Sequence, residues 1–343
     1  MTREDKINGL NIILIAISLL ASWFTPVHLF LFAYAVLGPL HYLTEISWLH
    51  DRSYFIADRK APKLLIGLGI VYLFIPLTIY FYKVNSQQIY FWYQLSGLLV
   101  FAALAVSVLA VISQRGLISV KAAAVMAIAA VMVIFSPYLT LFFASYVTTL
   151  VHVFVFTWIF MLSGALKSGR MSGFAALAFF TLCAVAALYP AAGVNLYVPR
   201  ELLIALQSFG RLDIRTAQLL GWHQPEQVFA IMRFIAFAYT YHYLNWFSKT
   251  QIIGWHRISR RRIALIAALY VVALSLYAMD YATGFKAVLF LSLIHVYLEF
   301  PLNIKTIMSL RTQFNDMRRQ AQVLRVPAYA QHATASPDNA AVR

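Results

Sequence analysis

Cysteine is nearly missing from this chain: Cys183 is the only one among 343 residues. That excludes a disulfide within the chain and any thiolate cluster for zinc or iron–sulfur chemistry. Acidic side chains are scarce too, 12 against 27 lysines and arginines, and charged residues together make up 11%. Soluble domains carry about a quarter charged residues, so a fully water-facing surface cannot be assembled from this composition. No phosphate-binding loop, dinucleotide fingerprint or internal repeat occurs. The opening stretch "MTREDKINGLNIILIAISLLASWF" mixes charges of both signs before its apolar run, and no small-x-small cleavage site follows. It reads as a first membrane helix and not as a removed signal peptide.

What is present is apolar. Hydrophobic residues reach 62% and the mean hydropathy is +0.75. Several runs attain the roughly 18 residues needed to cross a bilayer, so the expected fold is all-α, a polytopic integral membrane bundle of about ten transmembrane helices. They fall near 8–24, 27–50, 62–82, 89–113, 119–135, 138–166, 171–191, 226–248, 261–280 and 284–302. The breakers Thr25-Pro26, Ser136-Pro137, Ser168-Gly169, Gln224-Pro225 and Thr283-Gly284 separate several of them. Gly38-Pro39 lies inside the second and predicts a kink just before His41.

The net charge of +15 invites a nucleic-acid reading, but the basic residues cluster in alternate loops. Arg52, Arg59, Lys60 and Lys63 follow the second span, Arg115 and Lys121 the fourth, and Lys167 and Arg170 the sixth. Lys249, Arg257 and Arg260 to Arg262 follow the eighth, and Lys305, Arg311, Arg318, Arg319 and Arg325 the tenth. Opposite loops carry little charge, Lys83 and Lys286 among them; only the long segment 192–225 breaks the pattern, with Arg200, Arg211 and Arg215 against Glu201 and Asp213, and long loops count less. This is the positive-inside pattern, which predicts both termini in the cytoplasm and no nucleic-acid partner. The expected location is the cell (inner or plasma) membrane. The chain divides into a membrane domain 1–302, a charged amphipathic helix 303–325 on the cytoplasmic side, and a disordered tail 326–343. Residues 199–222 read as an amphipathic helix at the outer interface, with a lid over a pocket as the functional alternative.

Nine histidines occur. His223, His256 and His332 belong to loops, interfaces or the tail, and His28 and His50 lie near the ends of the second span. His41, His152, His242 and His295 remain inside apolar surroundings, one on each of four spans that run in the same direction. At about 1.5 Å per residue, His41, His242 and His295 lie roughly 9–14 Å from the cytoplasmic end and His152 near 20 Å, unless the sixth span projects beyond the bilayer, which its length permits. A lone membrane histidine often only hydrogen-bonds a neighbouring helix. Four on four helices point instead to a shared metal in the inner half of the bilayer. Imidazole suits iron, copper, zinc and nickel, and metal-bound imidazoles donate their other N–H outward. Glu45 follows His41 by four residues, Glu299 follows His295 by four, and Asn245 follows His242 by three. Each is expected one turn further toward the cytoplasm, with His50 as an additional outer partner. Glu299 would orient His295 or accept a proton, and either carboxylate is also a candidate direct ligand, which would suit two metals. Glu45 and Glu299 are thus the candidate catalytic groups, against the plain alternative of solvated carboxylates near the headgroups.

The motifs "GPLHYLTE", "YTYHYLNWF" and "SLIHVYLEF", with His152 as a fourth ligand, resemble the Brp/Blh family of membrane β-carotene 15,15'-dioxygenases. The likeness covers these short motifs and no continuous stretch. It implies a non-haem iron(II) held by four histidines, O2 as co-substrate, and oxidative cleavage of a carotenoid to retinal. A lipophilic substrate would enter from membrane lipid, past Tyr42, Tyr239, Tyr241, Tyr243, Trp246 and Tyr297. Three other readings stay open. A di-iron lipid desaturase or hydroxylase normally shows denser histidine boxes than "HYLTEISWLHD". A haem-b electron carrier would pair His242 with His256, and a metal-ion transporter would use HxxxE pairs. Arg233 and Asp280 fall toward the outer side of neighbouring spans and predict a structural ion pair.

Overall fold

In the computed structural model the described residues are 2–82, 86–113, 120–191, 198–249, 254 and 258–325. The expected tail 326–343, His256 and His332 lie outside them, as do Lys83, Arg115 and Arg257. The described residues are helical throughout their regular structure, with no strand. Among the described residues, six helices are long and apolar enough to cross a membrane.

Helix α1 spans Arg3–Phe24 and opens with a capping box between Thr2 and Asp5. Helix α2 runs Pro26–Asp51. It is α-helical except for a π stretch at Ala33–Leu37, immediately before Gly38-Pro39. Pro39 donates no N–H and its ring crowds the carbonyl four residues back, so the helix widens there. The expected kink before His41 therefore takes the form of a π turn. Helix α3 (Lys60–Tyr82), α4 (Ser86–Ser113) and α5 (Val120–Phe135) follow. Helix α6 spans Pro137–Ser168 and carries a longer π stretch at Phe142–Phe156. It ends at Gly169, whose φ of 62° suits a residue without Cβ. Helix α7 is Met171–Ala187.

The segment 199–222 is not one amphipathic helix. It folds as α8 (Arg200–Gln207) and α9 (Leu212–Leu219). Between them Gly210 (φ 61°) and Arg211 (φ 52°) adopt left-handed backbone, which breaks the helical path. Helix α10 is Pro225–Ser248, α11 Arg260–Met279 and α12 Tyr281–Arg325. The expected boundary between 302 and 303 is not a break, because α12 continues through Pro301 for 45 residues.

Burial separates the helices into a centre and a rim. Helix α10 buries most of its length between Ala230 and Asn245. Helix α12 is buried continuously from Leu293 to Pro301. A helix covered on every side can carry polar groups that meet one another rather than solvent or lipid. The rim helices α1 and α11 show the opposite. Leu10, Ile13, Ile17 and Leu20 of α1, and Leu265, Leu269 and Val272 of α11, are exposed. Such apolar belts fit a lipid surround. Polar clasps tie helices together at the end where α1 begins. Asp5 accepts from Ser172 at 2.7 Å, and Arg170 reaches Asp5 at 3.3 Å. Arg262 meets Asp51 at 2.6 Å.

The expected Arg233–Asp280 pair does not form. Asp280 caps α12, accepting from the backbone N–H and hydroxyl of Thr283 at 2.7 and 2.8 Å. Those bonds hold its carboxyl below the usual carboxylate range. Arg233 instead lies over Trp23, 4.1 Å from the ring centroid, and donates to the Tyr189 carbonyl.

Candidate metal centre

His41, His152, His242 and His295 come from α2, α6, α10 and α12 and are all buried. Their rings form a closed square. Centroids are 4.8 Å apart for His41–His242, 4.8 Å for His242–His152, 5.0 Å for His152–His295 and 5.3 Å for His295–His41. The Nε2 atoms of His41 and His242 are 3.2 Å apart, and so are those of His152 and His295. Donor atoms of His41, His152 and His295 all lie within 4.8 Å of one another.

His152 belongs in this square despite its expected extra depth. Helix α6 continues from His152 to Ser168, further than α2 runs from His41 to Asp51, so counting from the helix end overstates the depth of His152 relative to the other rings. The π stretch of α6 sets the direction from which His152 enters.

The outer partners differ from simple helical spacing. Glu45 Oε2 lies 3.0 Å from Nε2 of His41, on the inward, metal-facing side of the ring. Glu299 Oε2 lies 3.1 Å from Nδ1 of His152, not beside His295 on its own helix. One turn along α12, the carboxylate reaches across to α6. Neither contact is an aligned hydrogen bond, and both Oε2 atoms remain without a directed partner among the described residues. His242 Nδ1 meets the Thr157 hydroxyl at 2.8 Å. Thr157 was not singled out in the sequence, although a threonine one turn beyond His152 in an apolar helix is a readable polar signal. Asn245 is buried on α10 but makes no side-chain hydrogen bond to an imidazole among the described residues. His50 is away from the square, its side chain 64% exposed beside Asp51.

His41, His152 and His295 fit a metal; His242 is outside that triad and meets it through its 3.2 Å approach to His41. A ring whose Nδ1 donates outward presents a bare Nε2 lone pair inward. Only His242 has an outward hydrogen-bond partner at Nδ1, the Thr157 hydroxyl, while Nδ1 of His41, His152 and His295 makes no hydrogen bond among the described residues. Facing Nε2 atoms at 3.2 Å hold either a shared proton or a cation between them. Two nitrogens 3.2 Å apart, each about 2.1 Å from one ion, subtend roughly 100° at it, an ordinary coordination angle. Glu45 adds a carboxyl oxygen on the same side.

A cavity of about 370 Å³ reaches the square from one side, with His152 and His295 in its wall. Tyr42, Tyr239 and Tyr243 also line it, while Tyr241, Trp246 and Tyr297 do not. Tyr241 packs on Phe180 and donates to Asn11, and Trp246 donates to Thr44. Tyr297 stacks beside Phe300. Tyr42 stacks over His295 at 4.3 Å between centroids, and its hydroxyl is 2.7 Å from that of Tyr243. The far wall is Gln207 to Gly210, Leu212 and Arg215, from the α8–α9 segment.

No family model matches the chain. Comparison with curated proteins and with solved structures finds no match either. The site therefore has to be read from its own geometry.

Proposed function

We propose that the chain is an integral membrane oxygenase. It holds a non-haem iron(II) through His41, His152, His242 and His295 and oxidises a lipophilic substrate with O2. The observation that carries this reading is the closed square of four buried imidazoles with an aromatic-lined cavity ending on it. Bound iron(II) supplies the activation of O2. Every other contribution belongs to the chain. The four imidazoles bind from four helices, so the site is rigid once the bundle is packed. Thr157 fixes the His242 ring through a hydrogen bond, and Glu299 lies 3.1 Å from Nδ1 of His152, placed to take its proton. Glu45 is placed to accept or return a proton at its Oε2, or to occupy a ligand position itself. The aromatic wall excludes water and holds an apolar chain.

The likeness to the β-carotene dioxygenases supports carotenoid cleavage to retinal as the most specific form of this activity. We place the site in a cell membrane crossed about ten times, with both termini cytoplasmic, on the charge bias of the loops. A second reading has its own observation: each His pair has one carboxylate oxygen within 3.1 Å of it. That favours a two-iron lipid desaturase or hydroxylase. The haem reading rests on His256, which lies outside the described residues; between His41 and His242 themselves, 3.2 Å leaves no room for a porphyrin plane. The test is oxygen uptake by the iron(II)-loaded chain, given β-carotene or a mixed membrane-lipid extract. Uptake with retinal formation supports the dioxygenase, uptake with lipid alone supports the second reading, and none with either contradicts both.

A further inference from the structure

The cavity has two chemically different ends. His152 and His295 form one. Phe285, Leu289, Ser292 and His295 line it at helical spacing along α12. Ten residues at 1.5 Å each set its length at roughly 15 Å. Phe209 marks the other end, 4.8 Å from Phe285 between ring centroids. There the wall turns polar, with Gln207, Ser208 and Arg215.

Arg215 is the informative residue. Its guanidinium lies 5.3 Å from the centroid of Tyr93, which lines the same cavity. A Cβ on Gly210 would come within 3.5 Å of that guanidinium, and the backbone there (φ 61°) already favours glycine. The neighbouring Arg211 is neutralised by a bidentate pair with Asp213, at 3.1 and 2.8 Å. Arg215 has no such partner: among the described residues no carboxylate comes within ion-pairing distance of it. A fixed cation beside an aromatic cavity selects for a complementary anion. A pure hydrocarbon would leave it uncompensated.

We infer that the cavity binds a single-chain amphiphile whose anionic head group, a carboxylate or a phosphate monoester, pairs with Arg215 while its apolar chain runs to the histidine square. The length supports this. At roughly 1.2 Å per bond of extended chain, about a dozen bonds connect the two ends. A volume of about 370 Å³ is at the low end for ligand pockets, which suits one chain. The inference names an anionic substrate class for the proposed oxygenase in place of the uncharged carotenoid that the family likeness implies, and it rests on the oxygenase reading for what happens at the far end. Binding at Arg215 can be tested without any turnover.

The test uses the full chain in nanodiscs of zwitterionic lipid with cis-parinaric acid as the probe. Energy transfer from tryptophan reports its binding, because Trp92 lines the cavity. Competitors are oleate, oleoyl lysophosphatidate and oleyl alcohol. Displacement by an anionic competitor at a concentration about ten-fold or more below that of the alcohol is expected for one charge-assisted pair. Which anion is stronger identifies the head group. Arg215→Gln should erase the difference, Arg215→Lys should keep most of it, and Arg211→Gln should leave it unchanged. Equal displacement by the alcohol, or a preference that survives Arg215→Gln, would overturn the inference. The head-group comparison on the unaltered chain decides the matter even if the variant does not fold. Iron content of the same preparation reports separately on the oxygenase reading, so the two can fail independently.

Discussion

At the residue scale, His242 and His152 each have a polar neighbour at Nδ1 contributed by another helix, Thr157 and Glu299. Thr157 is the cleaner case, since its hydroxyl meets His242 Nδ1 at 2.8 Å. Thr157→Val keeps the shape and removes the oxygen. It should weaken metal affinity about ten- to a hundred-fold, with Thr157→Ser close to the parent. Competition against a calibrated chelator measures this. Glu299→Gln tests the cross-helix contact in the same assay, and should disturb His152 rather than His295 in the histidine NMR resonances. The candidate ligands were legible in the sequence because polar groups are rare in apolar helices and four stood out. Their partners were less legible. Counting along one helix assigns Glu299 to His295, whereas the contact it makes depends on how α6 crosses α12. The same limit removed His50, which lies close in sequence and points to the exposed end of α2.

At the element scale, two π stretches do the positioning. One precedes His41 and the other contains His152. The first was foreshadowed by Gly38-Pro39. The second has no proline or glycine within it to announce it. Gly38 has a separate role: a Cβ there would come within 2.9 Å of the Tyr42 hydroxyl. Gly38→Ala should push Tyr42 off His295 and break its 2.7 Å contact with Tyr243. The expected cost is about 1–3 kcal/mol of stability, typical of overpacking, read from the thermal midpoint. The metal affinity should fall with it. The break at Gly210 and Arg211 was unreadable as a matter of pattern, because the apolar spacing of 199–222 continues through the turn. That turn is also what brings Arg215 to the cavity.

At the scale of the whole molecule, one ion would join four helices that are far apart in sequence. Anything that binds the folded chain alone stabilises it, by about 2.7 kcal/mol at a hundred times its Kd. Chelation should therefore lower the thermal midpoint of the native protein, while a His295→Ala variant should be indifferent to chelator. The proposed orientation also has a direct check. With Cys183 replaced by alanine, a cysteine introduced at Arg260 should react with an impermeant maleimide only from the cytoplasmic side. One introduced at Gln218 should react only from the other. All-helical architecture and the existence of membrane-length helices followed from composition and run length. The burial of α10 did not, since its tyrosines, histidine and arginine make it look like a poor membrane helix until its neighbours are present to cover it.

The central claim is that the four imidazoles share a metal, and elemental analysis of the purified chain tests it most directly. The account predicts about one iron per chain after anaerobic loading with iron(II), no haem Soret band, and loss of the iron in His295→Ala. A chain that folds, shows an unshifted melting curve with iron(II), and binds no metal under those conditions would contradict it.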